Sequence, residues 1–247
     1  MSACEVLGDF RLRAIGGGAL AGAKLFRSAQ LASITPDDAR VMTSQLGIRA
    51  IYDIRNEWEV LGAPEPYVVG AKTIQLEPMT TRRRKSAHER FAAGVIGEYG
   101  EPEERMVANY RRYVQEYPLL GRALRALAAE QVPALIHCVN GKDRTGVISA
   151  VIMKACGAHN DDIMQDYLLT NEINAVAIQA EADELSAGMS AHELAILMSF
   201  LEARPAYVRA FFDEINQQFG SFDAYLAHGV RLTPLQQEKL RALFARA

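Results

Sequence analysis

Cys138 and Arg144 stand with five residues between them in the string His137-Cys138-Val139-Asn140-Gly141-Lys142-Asp143-Arg144-Thr145-Gly146. A cysteine attacks as its thiolate, and a guanidinium grips two phosphate oxygens in one plane, which an ammonium cannot do. Val139, Asn140, Gly141 and Lys142 can turn successive backbone N–H groups toward an anion, and Gly141 and Gly146 let the chain bend without a Cβ clash. The Thr145 hydroxyl can serve the sulfur when it departs. Together these residues describe a cradle for a tetrahedral oxyanion with a nucleophile at its mouth. The chemistry expected is displacement at phosphorus through a covalent intermediate.

Such a displacement also needs an acid for the leaving oxygen. Asp143 is the unusual member, a carboxylate within an anion loop, where its charge would repel a bound dianion unless it carried a proton. Asp143 is favoured as the acid because it lies in the loop itself, and reach comes before pKa. Asp53 remains the alternative acid. The nearby pair Asp53 and Arg55 reads equally well as a structural ion pair, and His137 is a further candidate next to the nucleophile. Lys142 is expected as a second, mobile cation, suited to multiply phosphorylated substrates.

A bare cysteine-to-arginine spacing is a weak signal, but the whole string set between a strand and a helix is far more specific. The loop is no nucleotide-binding Walker loop: no glycine stands at the required distance ahead of Gly141-Lys142, and Asp143 replaces the metal-binding hydroxyl. No metal or cofactor site is expected, and His159 with Asp162 reads as a solvated helix cap. Sulfur transfer and a non-catalytic phosphate-binding module are the competing classes.

The flanking pattern says how these residues are held. Pro133-Ala134-Leu135-Ile136 is a short buried strand, and Thr145 to Cys156 is an apolar helix that must lie against a sheet. Upstream, Thr35 caps a helix opened by Pro36, which runs to Leu46 and stops at Gly47. Strands are expected at Ile48–Arg55 and Ala71–Leu76. Tyr110, Tyr113, Val114 and Tyr117 space as one helix face, and Leu119 to Leu127 as another. Asn160 to Asp162 caps a helix through Leu169, and helices follow at 174–185, 191–201, 205–219, 221–228 and 234–244. The expected fold is α/β, a central parallel-rich sheet flanked by helices, with an all-α C-terminal half. One domain over 1–247 is expected, with a helical extension from about 172.

The chain has 247 residues, 49% hydrophobic and 23% charged, with a net charge of -3. That balance suits a sizeable core and excludes a general nucleic-acid binder, which needs a basic excess. Arg82, Arg83, Arg84 and Lys85 form the one concentrated positive run. It reads as a solvated face or as a basic flap for transient contact with an acidic substrate or anionic lipid. The three cysteines, Cys4, Cys138 and Cys156, are unpaired in pattern and point to a reducing compartment. Without a signal-like N-terminus or a membrane-length apolar run, the chain reads as cytoplasmic, leaving open export by a route without a cleaved signal.

The loop string resembles the bacterial PtpB-like tyrosine phosphatase family among the cysteine-based phosphatases. So do Leu25-Phe26-Arg27-Ser28-Ala29-Gln30-Leu31, Leu46 to Arg55, Asp166-Tyr167-Leu168-Leu169-Thr170-Asn171 and the stretch from Arg204 to Leu226. One departure is Arg13-Ala14-Ile15-Gly16-Gly17, with alanine where the family carries an aspartate. The resemblance implies a phosphatase fold, a metal-free cysteinyl-phosphate mechanism and a site carried by Cys138, Lys142, Asp143 and Arg144. It also implies a helical lid, and phosphoproteins and phosphoinositides as substrates.

Overall fold

The computed structural model describes residues 10–16, 24–76, 87–94, 100–116, 118–129 and 133–244. The basic run Arg82–Lys85, Cys4 and Tyr117 lie outside the described residues.

Five short strands form one sheet in the order β1-β2-β5-β3-β4: β1 (Arg13–Ala14), β2 (Leu25–Ser28), β3 (Ala50–Asp53), β4 (Lys72–Gln75) and β5 (Ala134–His137). All neighbours run parallel except β1, which pairs antiparallel with β2 at the edge. Side-chain alternation explains why the three inner strands are buried throughout. Leu25, Ala50, Tyr52, Ala134 and Ile136 enter the larger apolar cluster, whereas Phe26, Ile51 and Leu135 point the other way into a smaller one. The register brings Ser28, His137 and Asp53 level at the carboxyl ends of β2, β5 and β3. That edge is where open α/β sheets place their ligands.

The strands are shorter than the sequence pattern suggests, although single bonds extend the ladder, from Arg49 N–H to the Pro133 carbonyl (2.8 Å) and from Ile54 N–H to the His137 carbonyl (3.0 Å). The first helix also departs from expectation. Thr35 caps it in a full capping box with Asp38, and α1 (Pro36–Arg40) then widens into a π-helix over Val41–Gln45. The Thr43 hydroxyl donates back to the Ala39 carbonyl (3.0 Å), competing with the regular ladder, and the turn closes through Leu46 N–H to the Val41 carbonyl. Gly47 then ends it at a φ of 68°.

The remaining helices are α2 (Glu57–Gly62), α3 (Ala87–Ala92), α4 (Glu104–Glu116), α5 (Pro118–Ala129), α6 (Asp143–Ala155), α7 (Asn160–Ile173), α8 (Ala175–Leu185), α9 (Ala191–Leu201), α10 (Pro205–Phe219) and α11 (Pro234–Phe244). Between the last two lie a single turn at Phe222–Ala224 and a π-turn at Tyr225–Gly229. The helix after the loop begins at Asp143, two residues earlier than expected, so the acid candidate sits in its first turn. His159, not Asn160, occupies the cap of α7 and makes no side-chain cap bond; Asn160 instead accepts from Lys154 Nζ at 2.7 Å. No described helix is long and apolar enough to cross a membrane.

Candidate active site

The loop from β5 to α6 is held by its carbonyls. The His137 carbonyl takes Ile54 N–H (3.0 Å), that of Val139 takes Gln30 N–H (3.0 Å), and that of Asn140 takes Asn174 Nδ2 (3.2 Å). The Gly141 carbonyl takes Arg27 Nη2 (2.6 Å), and that of Lys142 takes Gly146 N–H (2.9 Å). The N–H groups of Val139, Asn140, Gly141 and Lys142 have no partner among the described residues. Carbonyls fastened outward and amides left over are the condition for binding an anion at a helix N-terminus.

Two glycines make the bend possible. Gly141 has a φ of 66°, and a Cβ there would lie 2.5 Å from the Ser28 carbonyl oxygen, so the loop is seated directly on the end of β2. A Cβ on Gly146 would lie 3.1 Å from the Tyr167 ring. Arg27, itself buried, is fixed by Asp166 Oδ2 at 2.9 Å, and Asp166 also binds Arg13 and accepts from Gly16 N–H. Burial would push the Asp166 carboxyl up, but Arg27 and Arg13 together hold it below the usual carboxylate range.

Cys138, Val139, Asn140, Asp143 and Arg144 line one cleft of about 730 Å³, walled by Tyr113, α3, α8 and the end of α9. Arg144 reaches Glu59 with both terminal nitrogens, 2.7 Å to Oε2 and 2.8 Å to Oε1. Glu59 is itself fixed, because its Oε2 accepts from Asn56 N–H in the capping box that starts α2. Asp143 Oδ1 accepts from the Tyr110 hydroxyl at 2.7 Å, and Tyr110 shares a second bond of 2.7 Å with the Tyr167 hydroxyl. Burial, then the charge of Asp143, raises the pKa of Tyr110 far above that of a free phenol, so it stays a donor. The Thr145 hydroxyl is buried without a partner among the described residues.

Lys142 is not the mobile cation expected from the sequence. It is 3% exposed, and its ammonium is held by the Phe200 carbonyl and by that of Glu202 (3.2 Å), 3.7 Å from Asp143 Oδ2. Carbonyls at a helix C-terminus lack intrahelical donors, and the end of α9 draws the lysine inward.

Asp53 and Arg55 face each other below the cleft and do not line it. Asp53 is 2% exposed and accepts from Arg55 Nε (3.0 Å) and Nη2 (2.8 Å). Arg55 also binds Glu65 at 3.1 Å, and His137 Nε2 lies 3.4 Å from Glu65 without hydrogen-bond geometry. Asp53, Glu65 and His137 thus cluster closely enough to hold a cation, a grouping the sequence reading did not see because three separate segments supply it. The guanidinium of Arg55 already provides the positive charge there.

Sequence reasoning missed Glu59, Arg27, Asp166 and Asn174, and took Tyr110 and Tyr113 for core alone. Arg27 and Asp166 gave a signal, as charged residues in the two flanking segments that resemble the family. Cys156 is remote from the loop; burial pushes its thiol up to about 11.

A model described as the tyrosine phosphatase family matches residues 7–246. Triple specificity protein phosphatase PtpB of Mycobacterium tuberculosis is 29% identical over 240 residues, covering 84% of this chain and 86% of the relative. A Cupriavidus necator protein provisionally named a tyrosine-protein phosphatase is 26% identical over 236 residues, covering 91% of this chain and 81% of the relative.

Proposed function

Because the chain belongs to the tyrosine phosphatase family and is a protein-tyrosine phosphatase, we propose that it hydrolyses phosphotyrosine through a phosphocysteine on Cys138, without a metal. The supporting observation is that the loop carbonyls of His137 and of Val139 to Lys142 are bound away from the cleft that Cys138, Asp143 and Arg144 share.

The Cys138 thiolate attacks phosphorus as the bond to the tyrosyl oxygen breaks, and Asp143 gives that oxygen its proton. A water then attacks the same phosphorus, Asp143 takes up a proton from it, and the sulfur leaves as thiolate. Arg144 and the amides of Val139 to Lys142 carry the negative charge of the three equatorial oxygens throughout. Glu59 binds both terminal nitrogens of Arg144, which fixes the plane of the guanidinium beside the loop. Cys138→Ser should abolish turnover while still binding a phosphotyrosine peptide; wild-type turnover in that variant would remove the mechanism.

The substrate range extends, on this reading, to phosphoserine or phosphothreonine, in keeping with the triple specificity in the name of the mycobacterial relative. Hydrolysis of phosphoinositides is the alternative. It rests on the basic run Arg82 to Lys85, while the ammonium of Lys142 is already engaged by carbonyls. Turnover on a phosphotyrosine peptide against dispersed phosphoinositides decides between them. A cytoplasmic setting belongs to the same proposal, supported by the unpaired cysteines Cys138 and Cys156.

A further inference from the structure

No step of the chemistry above uses Lys142, although it stands in the loop and is almost wholly buried. Its ammonium donates to the carbonyls of Phe200 and Glu202, at the end of α9 where carbonyls lack intrahelical donors. The backbone it grips belongs to a wall of the catalytic cleft. Phe200 and Leu201 line that cleft together with Phe91 of α3 and with Met106 and Tyr113 of α4.

The two sides of the cleft are held differently. Met106 is buried in the larger apolar cluster and Tyr113 packs against it, its ring 5.4 Å from that of Tyr110. Phe91 is buried instead with Ile196 and Leu197 of α9 in a third, small cluster. Phe200 packs against both clusters, and its ring meets Phe91 edge-on at 5.1 Å. The wall formed by α3 and α9 thus has an apolar nucleus of its own, and Lys142 joins it to the loop that holds the phosphate. A bond from the loop to the Phe200 backbone sets how far that ring stands from the cradle.

That distance matters because of what must enter. Phosphotyrosine places an aromatic ring between its ester oxygen and the peptide backbone, where phosphoserine places a single methylene. Aromatic walls gain contact area and ring packing with the first and little with the second. We propose that Tyr113 and Phe200 form a slot that reads the aryl group of the substrate, and that Lys142 is a positioning residue which sets the slot by gripping the end of α9. The inference rests on the phosphatase reading and deepens it: the loop lysine serves the ring of the substrate and not its phosphate.

The test compares two peptides of one sequence, carrying phosphotyrosine or phosphoserine, in the wild type and in Lys142→Met, Phe200→Ala and Tyr113→Leu. The ratio of kcat/KM on phosphotyrosine to that on phosphoserine should fall about fivefold in Phe200→Ala and Tyr113→Leu, chiefly through KM, and by a similar factor in Lys142→Met. Combining Lys142→Met with Phe200→Ala should lower the ratio no further than Phe200→Ala alone, because the lysine acts through that ring. Equal losses on both peptides in Lys142→Met would overturn the positioning role and return the ammonium to the phosphate. A greater loss on phosphoserine, the poorer leaving group, would overturn it in favour of support for Asp143. Phe200→Ala leaves the loop sequence intact, and an unchanged ratio there would overturn the slot whatever Lys142→Met does. Wild type that turns over neither peptide would remove the phosphatase reading and the slot with it, whereas turnover of both peptides equally well would remove the slot alone.

Discussion

Glu59 binds Arg144 through both carboxylate oxygens while the same carboxylate closes the cap of α2. A helix start is thereby coupled to the orientation of the phosphate-binding guanidinium. Glu59→Gln keeps a side chain able to serve in a capping box but removes the charge and the second acceptor. The expected outcome is a fall in kcat/KM of about 10- to 100-fold, with Tm within about 3 °C of wild type. Steady-state kinetics beside a thermal melt checks this, and unchanged kinetics would show that Arg144 needs no support.

Tyr110 holds Asp143 by Oδ1, while Oδ2 lies 3.7 Å from the ammonium of Lys142. Tyr110→Phe deletes that bond and the one to Tyr167, at a stability cost of about 1–3 kcal/mol. Its rate loss should be greater on a poor leaving group than on an activated aryl phosphate, as for Asp143→Asn. Equal losses on the two substrates would take the acid role away from Asp143, and a leaving-group effect from Asp53→Asn would move it there.

Gly141→Ala tests the seat of the loop. The added Cβ meets the Ser28 carbonyl at 2.5 Å on a backbone already at positive φ, so the loop must lift and activity should fall by about 100-fold or more. Gly157→Ala is the control, also at positive φ but facing open space, and should cost only about 1 kcal/mol with near-normal turnover. Similar kinetics in the two variants would mean that the close approach to β2 does not shape the cradle.

Asp166 ties Arg13 and Arg27 to the loop. Its pKa is lower in the folded than in the unfolded protein, so its stabilisation is present above the unfolded carboxylate value near about 4 and is lost as pH falls through the folded value. Asp166→Asn should therefore lower stability at neutral pH by about 3–5 kcal/mol, since it leaves buried guanidinium charge uncompensated. Denaturant unfolding should show the gap to wild type narrowing below about pH 4. A gap independent of pH would mean that shape, and not charge, is what the aspartate supplies.

Much of this was legible in the chain. Ala134 to Ile136, the glycines of the loop and the apolar run from Val147 to Met153 carry local patterns, and local patterns set strand, bend and helix. The expected positions of α8 to α11 needed only periodicity and the prolines at helix starts. What escaped was pairing across distance. Arg27 and Asp166 are 139 residues apart, and Glu59 meets Arg144 across 85. Lys142 misled for the same reason: its partners are carbonyls at the end of α9, 58 and 60 residues on, and no side-chain pattern announces a backbone acceptor.

The central claim is the covalent bond to Cys138. The direct measurement is rapid acid quench of the protein during turnover of a phosphotyrosine peptide carrying radiolabelled phosphate, followed by digestion and mapping of the label. The account predicts label on the peptide containing Cys138 in the wild type, none in Cys138→Ser, and more in Asp143→Asn, where the breakdown step lacks its base. Turnover without any trapped label, or label on a residue other than Cys138, would contradict it.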